Sequence, residues 1–192
     1  MIKLKASYIV TVSSSEQTRI RTKTKAAVRE HFLEMARYNA WANARLYRMA
    51  ASLPDESYKR AVGVYFKSLH GTLNHILVAD SIWMRRLTGA GNHPDRLDAI
   101  MFDRLPALDA ARMALDARII EFVESLTDSH LEEMWEYRTL NGTPQRQRRR
   151  DVLAHVFNHQ THHRGQAHAI VSILGVAEPT PLDLLLMQRE QS

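Results

Sequence analysis

The chain has 192 residues, 45% hydrophobic and 24% charged, and no cysteine, so it can bury one sizeable core and cannot form disulfides, thiolate zinc sites or a protein thiol nucleophile. No apolar run approaches the ~20 residues of a membrane helix, and a cytoplasmic protein without membrane contact is expected. The net charge of +5 comes from the first 27 residues, which hold six of the 26 basic residues and only Glu16 of the 21 acidic ones. The body from residue 28 is therefore neutral, which argues against nucleic acid as a partner.

Residues 1–28 are rich in Ser and Thr, nearly free of acids and without helical periodicity. Transit peptides and plain tails share that composition; we read 1–28 as a disordered or extraneous leader, with one domain over 29–192. A first helix is expected over about 29–53. There Phe32, Leu33, Ala36, Ala40, Leu46, Met49 and Leu53 recur mostly at three- and four-residue steps, and Pro54 stops it. A second is expected over about 67–88, from Leu69, Leu73, Ile76, Leu77, Trp83 and Leu87, ending before Gly89. Residues 89–106, with Gly89, Gly91, Pro94 and Pro106, read as a connection.

The third helix, about 107–127, carries Leu108, Ala111, Leu115, Ile119, Phe122, Val123 and Leu126. Met134–Tyr137 alternates weakly and Asn141-Gly142 signals a tight turn, so a small hairpin is expected before the fourth helix. Arg146-Gln147-Arg148-Arg149-Arg150 is short and lacks interleaved aromatic residues, which makes it a solvated lead-in. Asp151 is the expected N-cap of helix four and Gly175 its stop, with Pro179 beyond. Trp41, Trp83 and Trp135 are expected in the core, and Met35, Met49, Met84 and Met113 as packing residues. Four long helices with one longer crossover make an all-α fold, a four-helix bundle.

Helix four holds the densest chemistry. Five of the ten histidines fall within 155–168. His155 and His163 lie about 12 Å apart along a helix, too far to share one ion. His159 is the common member of the pairs 155/159, 159/162 and 159/163. The four-residue step of 159/163 stacks two imidazoles on one face. His168 points elsewhere. A third ligand must come from another helix, and His75 stands mid-helix near the apolar side of helix two, with His70 a weaker alternative. A buried histidine there can equally be a hydrogen-bonded core residue. Gln160 follows His159 where a zincin protease needs glutamate, which argues against that hydrolysis.

Tyr38-Asn39-Ala40-Trp41-Ala42-Asn43, Thr72-Leu73-Asn74-His75-Ile76-Leu77-Val78-Ala79-Asp80 and the stretch Asn158 to Gln166 resemble, in order and spacing, the DinB family of bacterial proteins. The resemblance spans about 29–175. It implies a DinB/YfiT-like four-helix bundle with up-down-down-up connectivity. It also implies a divalent metal held by three histidines, which map onto His75, His159 and His163, with His162 beside the site. Asn39, Asn43, Asn74, Asp80 and Gln166 are positioned to bond the outward ring nitrogens. The family is commonly dimeric, so a homodimer is expected. Some similar proteins are transferases or isomerases that use low-molecular-weight thiols. The expected function is thus a metal-dependent enzyme acting on a small-molecule substrate, with zinc or nickel and a small thiol as cofactors. The alternative is a non-catalytic metal-binding stress-response protein. No catalytic residue is singled out.

Overall fold

A computed structural model of the chain describes the backbone of residues 14–191 and the side chains of 28–191. Residues 1–13 of the expected leader lie outside the described residues. Helix α1 runs Ser14–Ala51, so it starts well before residue 29. Residues 14–28 contain no Gly or Pro to stop a helix; what they lack is an apolar stripe, the signal by which a helix is read. A single turn, α2 (Asp55–Lys59), follows Pro54. The chain then reverses tightly, with Val64 bridged to Lys67 and Lys67 at φ 68°.

Helix α3 (Leu69–Thr88) opens with the Ser68 side chain accepting from the Gly71 amide at 3.1 Å, and ends at Gly89 in the left-handed region. Helix α4 (Leu105–Ser125) carries Pro106 in its first turn, where the missing amide costs nothing. A short α5 (Asp128–Glu132) leads to the hairpin of β1 (Met134–Arg138) and β2 (Pro144–Arg148), antiparallel with Met134 opposite Arg148. Its connection is five residues, 139–143, with Gly142 at φ 83°.

Helix α6 (Arg149–Ile173) follows β2 without a break, so the largely exposed arginine run leads into it as the end of the strand and the first helical turn. For the same reason Asp151 is not the N-cap: it lies inside the first turn and accepts from Arg148 at 3.1 Å. Gly175 (φ 100°) follows α6, and α7 (Leu184–Glu190) lies against α1.

Helix α1 packs on α4 and α6, and α3 packs on the same two. Leu46, Leu69, Leu73, Leu108, Val123, Ala167 and Ile170 fill the space between them. The three tryptophans are only half-buried, because none packs into this core: Trp41 lies on a smaller cluster of Tyr38, Ala42 and Met187, and Trp83 and Trp135 lie against Tyr137 of the hairpin; Met113 is 63% exposed.

A buried polar chain crosses all four long helices. Arg112 on α4 binds Asp80 of α3 at 2.7 Å and Asp116 of its own helix at 2.9 Å. The Asn43 amide of α1 donates to both Asp116 oxygens at 3.1 Å. Arg164 of α6 donates to Asn39, to Asn43 (3.4 Å) and to Gln160 (3.2 Å). Two arginines and two aspartates leave the interior neutral, although burial still pushes the Asp80 carboxyl up to about 6. Arg112→Met should cost about 3–5 kcal/mol in urea denaturation, because Asp80 then loses its buried partner and Asp116 keeps only the Asn43 amide. Met113→Gln should stay within about 0.5 kcal/mol of the parent.

Candidate metal centre

Helices α3 and α6 bring His75, His159 and His163 together. The chain departs from what polar side chains ordinarily do in a core: His75 is 3% exposed, and the two α6 rings are half-buried. One nitrogen from each ring lies within 4.8 Å of the others. The ring centroids are 5.2 Å apart for His75 and His159, and 4.4 Å for the other two pairs.

Hydrogen bonds assign the protons. His75 Nδ1 lies 2.8 Å from the Leu97 carbonyl oxygen, which can only accept, so Nδ1 donates. His163 Nδ1 lies 2.8 Å from Gln166 Oε1 and donates likewise, while the Gln166 amide nitrogen reaches His162 Nε2 at 3.1 Å. In the neutral rings both Nε2 atoms therefore carry bare lone pairs, and they face each other at 3.2 Å. Two acceptors cannot bond each other; a cation between them satisfies both. The separation matches the edge of about 3.3 Å expected for a tetrahedron of 2.0–2.1 Å metal–nitrogen bonds. His159 completes the set, and its buried Nδ1 has no hydrogen-bond partner among the described residues. This donor set fits a divalent transition metal.

The rings are held neutral. Burial brings His75 down to about 4, against the pull of the Leu97 carbonyl and with help from His163. Burial and then the surrounding imidazoles, His163 first, bring His159 to about 3. Burial also lowers His163, partly opposed by Gln166. At neutral pH no proton has to leave before an ion enters.

The neighbourhood is built by local sequence. Phe66 stacks on His75, centroids 3.7 Å apart and planes at 15°, and presents its edge to His163. It gets there because Gly71 has no Cβ, which would collide with the Phe66 carbonyl oxygen. Asn74 accepts from the Met101 and Phe102 amides at 2.9 and 3.1 Å and so ties down the crossover that carries Leu97.

Of the five residues expected to bond the outward ring nitrogens, only Gln166 does so. Asn39, Asn43 and Asp80 belong to the buried charge network, and Asn74 to the crossover. Leu97 escapes a sequence reading because it acts through its backbone. His70 bonds the Phe102 carbonyl at 3.0 Å and His168 the Thr180 carbonyl at 3.0 Å, so neither joins the group. His155 stands outside it, centroid 6.0 Å from His159.

A cleft of about 540 Å³ opens beside His159, lined by Ile82, Trp83, Arg86, Tyr137, Leu140 and His155, among others. Its size is that of a small-molecule site.

The DinB family model matches residues 22–191. The chain belongs to the DinB family. It is 26% identical over 163 residues to Protein DinB of Bacillus subtilis (strain 168), covering 78% of this chain and 90% of that protein. The crystal structure of a DinB-like protein from Bacillus cereus ATCC 10987 superposes with a TM-score of 0.60 at 20% identity, covering 76% of this chain and 92% of the other. That similarity is one of fold. The family match begins at residue 22, inside the 1–28 leader and within α1.

The depressed histidines give this DinB-family chain a pH signature. Below about 6.5 the unfolded imidazoles take up protons that folded His75 and His159 refuse, so the metal-free protein should lose stability as pH falls from about 6.5 toward 4. Thermal melts in the presence of a chelator should show that slope, and it should flatten in His159→Gln.

Proposed function

We propose that this DinB-family protein is a metal-dependent enzyme, a transferase or isomerase that uses a low-molecular-weight thiol, with zinc or nickel held by His75, His159 and His163. The observation that carries the reading is the pair of unprotonated Nε2 atoms facing each other at 3.2 Å, each with its proton committed on the far side of the ring. When bound, a divalent ion supplies Lewis-acid chemistry, lowering the pKa of a thiol or water placed beside it.

The chain's own residues do the rest. Leu97 and Gln166 orient two ligands, Phe66 shields one face of His75, and the cleft beside His159 receives a substrate. No carboxylate lines that cleft among the described residues. A nucleophile that arrives as an acidic thiol needs no such base, and a chain without cysteine leaves the sulfur to the small molecule.

We read the four long helices as a bundle with up-down-down-up connectivity. The cross-helix pairs support this. Phe32–Phe157 and Asn43–Arg164 run α1 and α6 in one direction, whereas Asn43–Asp116 and Arg37–Glu124 run α4 against α1. Asp80–Arg112 and Thr88–Arg118 align α3 with α4. A homodimer and a cytoplasmic location belong to the same reading. No described helix is long and apolar enough to cross a membrane.

Elemental analysis of purified protein should find close to one divalent ion per chain. His75→Ala and His159→Ala should each remove it, and Gln166→Leu should weaken binding about 10- to 100-fold. Stoichiometric metal surviving both alanine substitutions would sink the site. A screen of small thiols with electrophilic acceptors then tests catalysis; a fully loaded protein without thiol-dependent turnover would return the reading to a non-catalytic metal-binding protein.

A further inference from the structure

Two stripes of side chains lead away from the three histidines along antiparallel α3 and α6. On α6, His163, His159 and His155 step back one turn at a time. On α3, His75, Ala79, Trp83 and Arg86 step forward, and Trp83 meets the His155 ring edge-on at 5.3 Å. The hairpin closes the far end of the groove: Tyr137 packs edge-on against Trp83 at 5.3 Å, while Leu140 and Asn141 line the wall. Tyr137 is aimed there by strand alternation, which puts Trp135 and Tyr137 on one face, stacked 5.0 Å apart, and by its hydroxyl donating to Gln147 at 2.7 Å.

Arg86 is the unexplained charge in this wall. Other sheltered arginines have acids or hydrogen-bond acceptors: Arg45 pairs with Glu190, Arg149 with Glu133 and Arg150 with Glu132, while Arg164 donates to Asn39, Asn43 and Gln160 and Arg118 to Thr88 and the Ala90 carbonyl. Arg86 lies half-buried over Trp83 (4.7 Å) and Tyr137 (5.5 Å), with no carboxylate and no hydrogen-bond acceptor paired to it among the described residues. Burial depresses its pKa, so its surroundings cost the cation hydration without returning a counter-charge. A guanidinium whose carbon lies over two aromatic rings is placed by them, and its N–H donors, which have no acceptor among the described residues, are available to an oxyanion.

We infer that the cleft binds an anionic small molecule with an aromatic or similarly flat apolar body: the carboxylate, sulfonate or phosphate end on Arg86, the body between Trp83, Tyr137 and Leu140, and the opposite end at His159. The identity of that opposite end as the reacting one rests on the metal-centre reading; the binding of the anion does not. Ala79 and Arg86, which both line the cleft, are seven residues or about 10 Å apart along α3, which suits an elongated molecule.

Naphthalene-2-sulfonate tests this, since a sulfonate is a poor metal ligand, with 2-naphthalenemethanol as its uncharged counterpart. In calorimetric titrations of the metal-loaded protein the sulfonate should bind. Arg86→Gln should weaken it about tenfold or more, and Arg86→Lys should fall between the two, because the charge stays but the planar fork is lost. The alcohol should bind more weakly and equally to all three, while Trp83→Leu should weaken both compounds. No binding of the sulfonate to the parent protein, or equal binding to the parent and Arg86→Gln, overturns the assignment. Repeating the titrations on chelator-treated protein separates the two readings. Arg86-dependent binding in a protein that takes up no ion keeps the cleft and removes the metal centre. Full ion uptake without Arg86-dependent binding removes the cleft alone.

Discussion

One continuous run of buried polar contacts holds the four long helices in register: Asp80 to Arg112 to Asp116 to Asn43 to Arg164, with Asn39 and Gln160 at its end. Apolar packing alone tolerates sliding, because leucines accept many neighbours. Charges in a dry interior do not, since each lost partner leaves an uncompensated group. Arg164 follows His163 in sequence, and Asp80 lies little more than one turn beyond His75. The network therefore fixes the rotation of α3 and α6 about their axes, and with it the aim of the imidazoles. This gives a physical reason for an Asn39–Asn43 pair on α1 that never touches the histidines.

Much of this was legible in the residues and much was not. The three long helices after α1 carry an apolar stripe, and Gly89 and Gly175 mark two of their ends in the left-handed region. The hairpin showed in Met134–Tyr137 and Asn141-Gly142. Helix α1 ran further back than its stripe, since a helix without an apolar face leaves no period to detect. Asp151 looked like a cap because nothing in the sequence says that β2 flows straight into α6.

At the site, helical spacing brought His159 and His163 to one face, and His75 was favoured over His70 by its mid-helix place before the resemblance to the family singled it out. The Leu97 carbonyl and the Phe66 ring were invisible. The first is backbone, and the second depends on a missing Cβ at Gly71, one helical turn before His75. Nothing in the sequence marks Arg112 and Arg164 as buried, because burial of an arginine is decided by partners far apart in sequence.

Leu97 faces two ways. Its carbonyl fixes the proton on His75, and its side chain forms part of the cleft wall beside His159. A molecule that presses on that side chain pulls or relaxes the same backbone atom that sets the basicity of the ligand. Thermodynamic reciprocity then requires that whatever the occupant does to the ion's grip, the ion does equally to the occupant's. On the proposed reading the crossover would join two binding equilibria, and the hydrogen bonds that Asn74 accepts from it would set how much of one reaches the other.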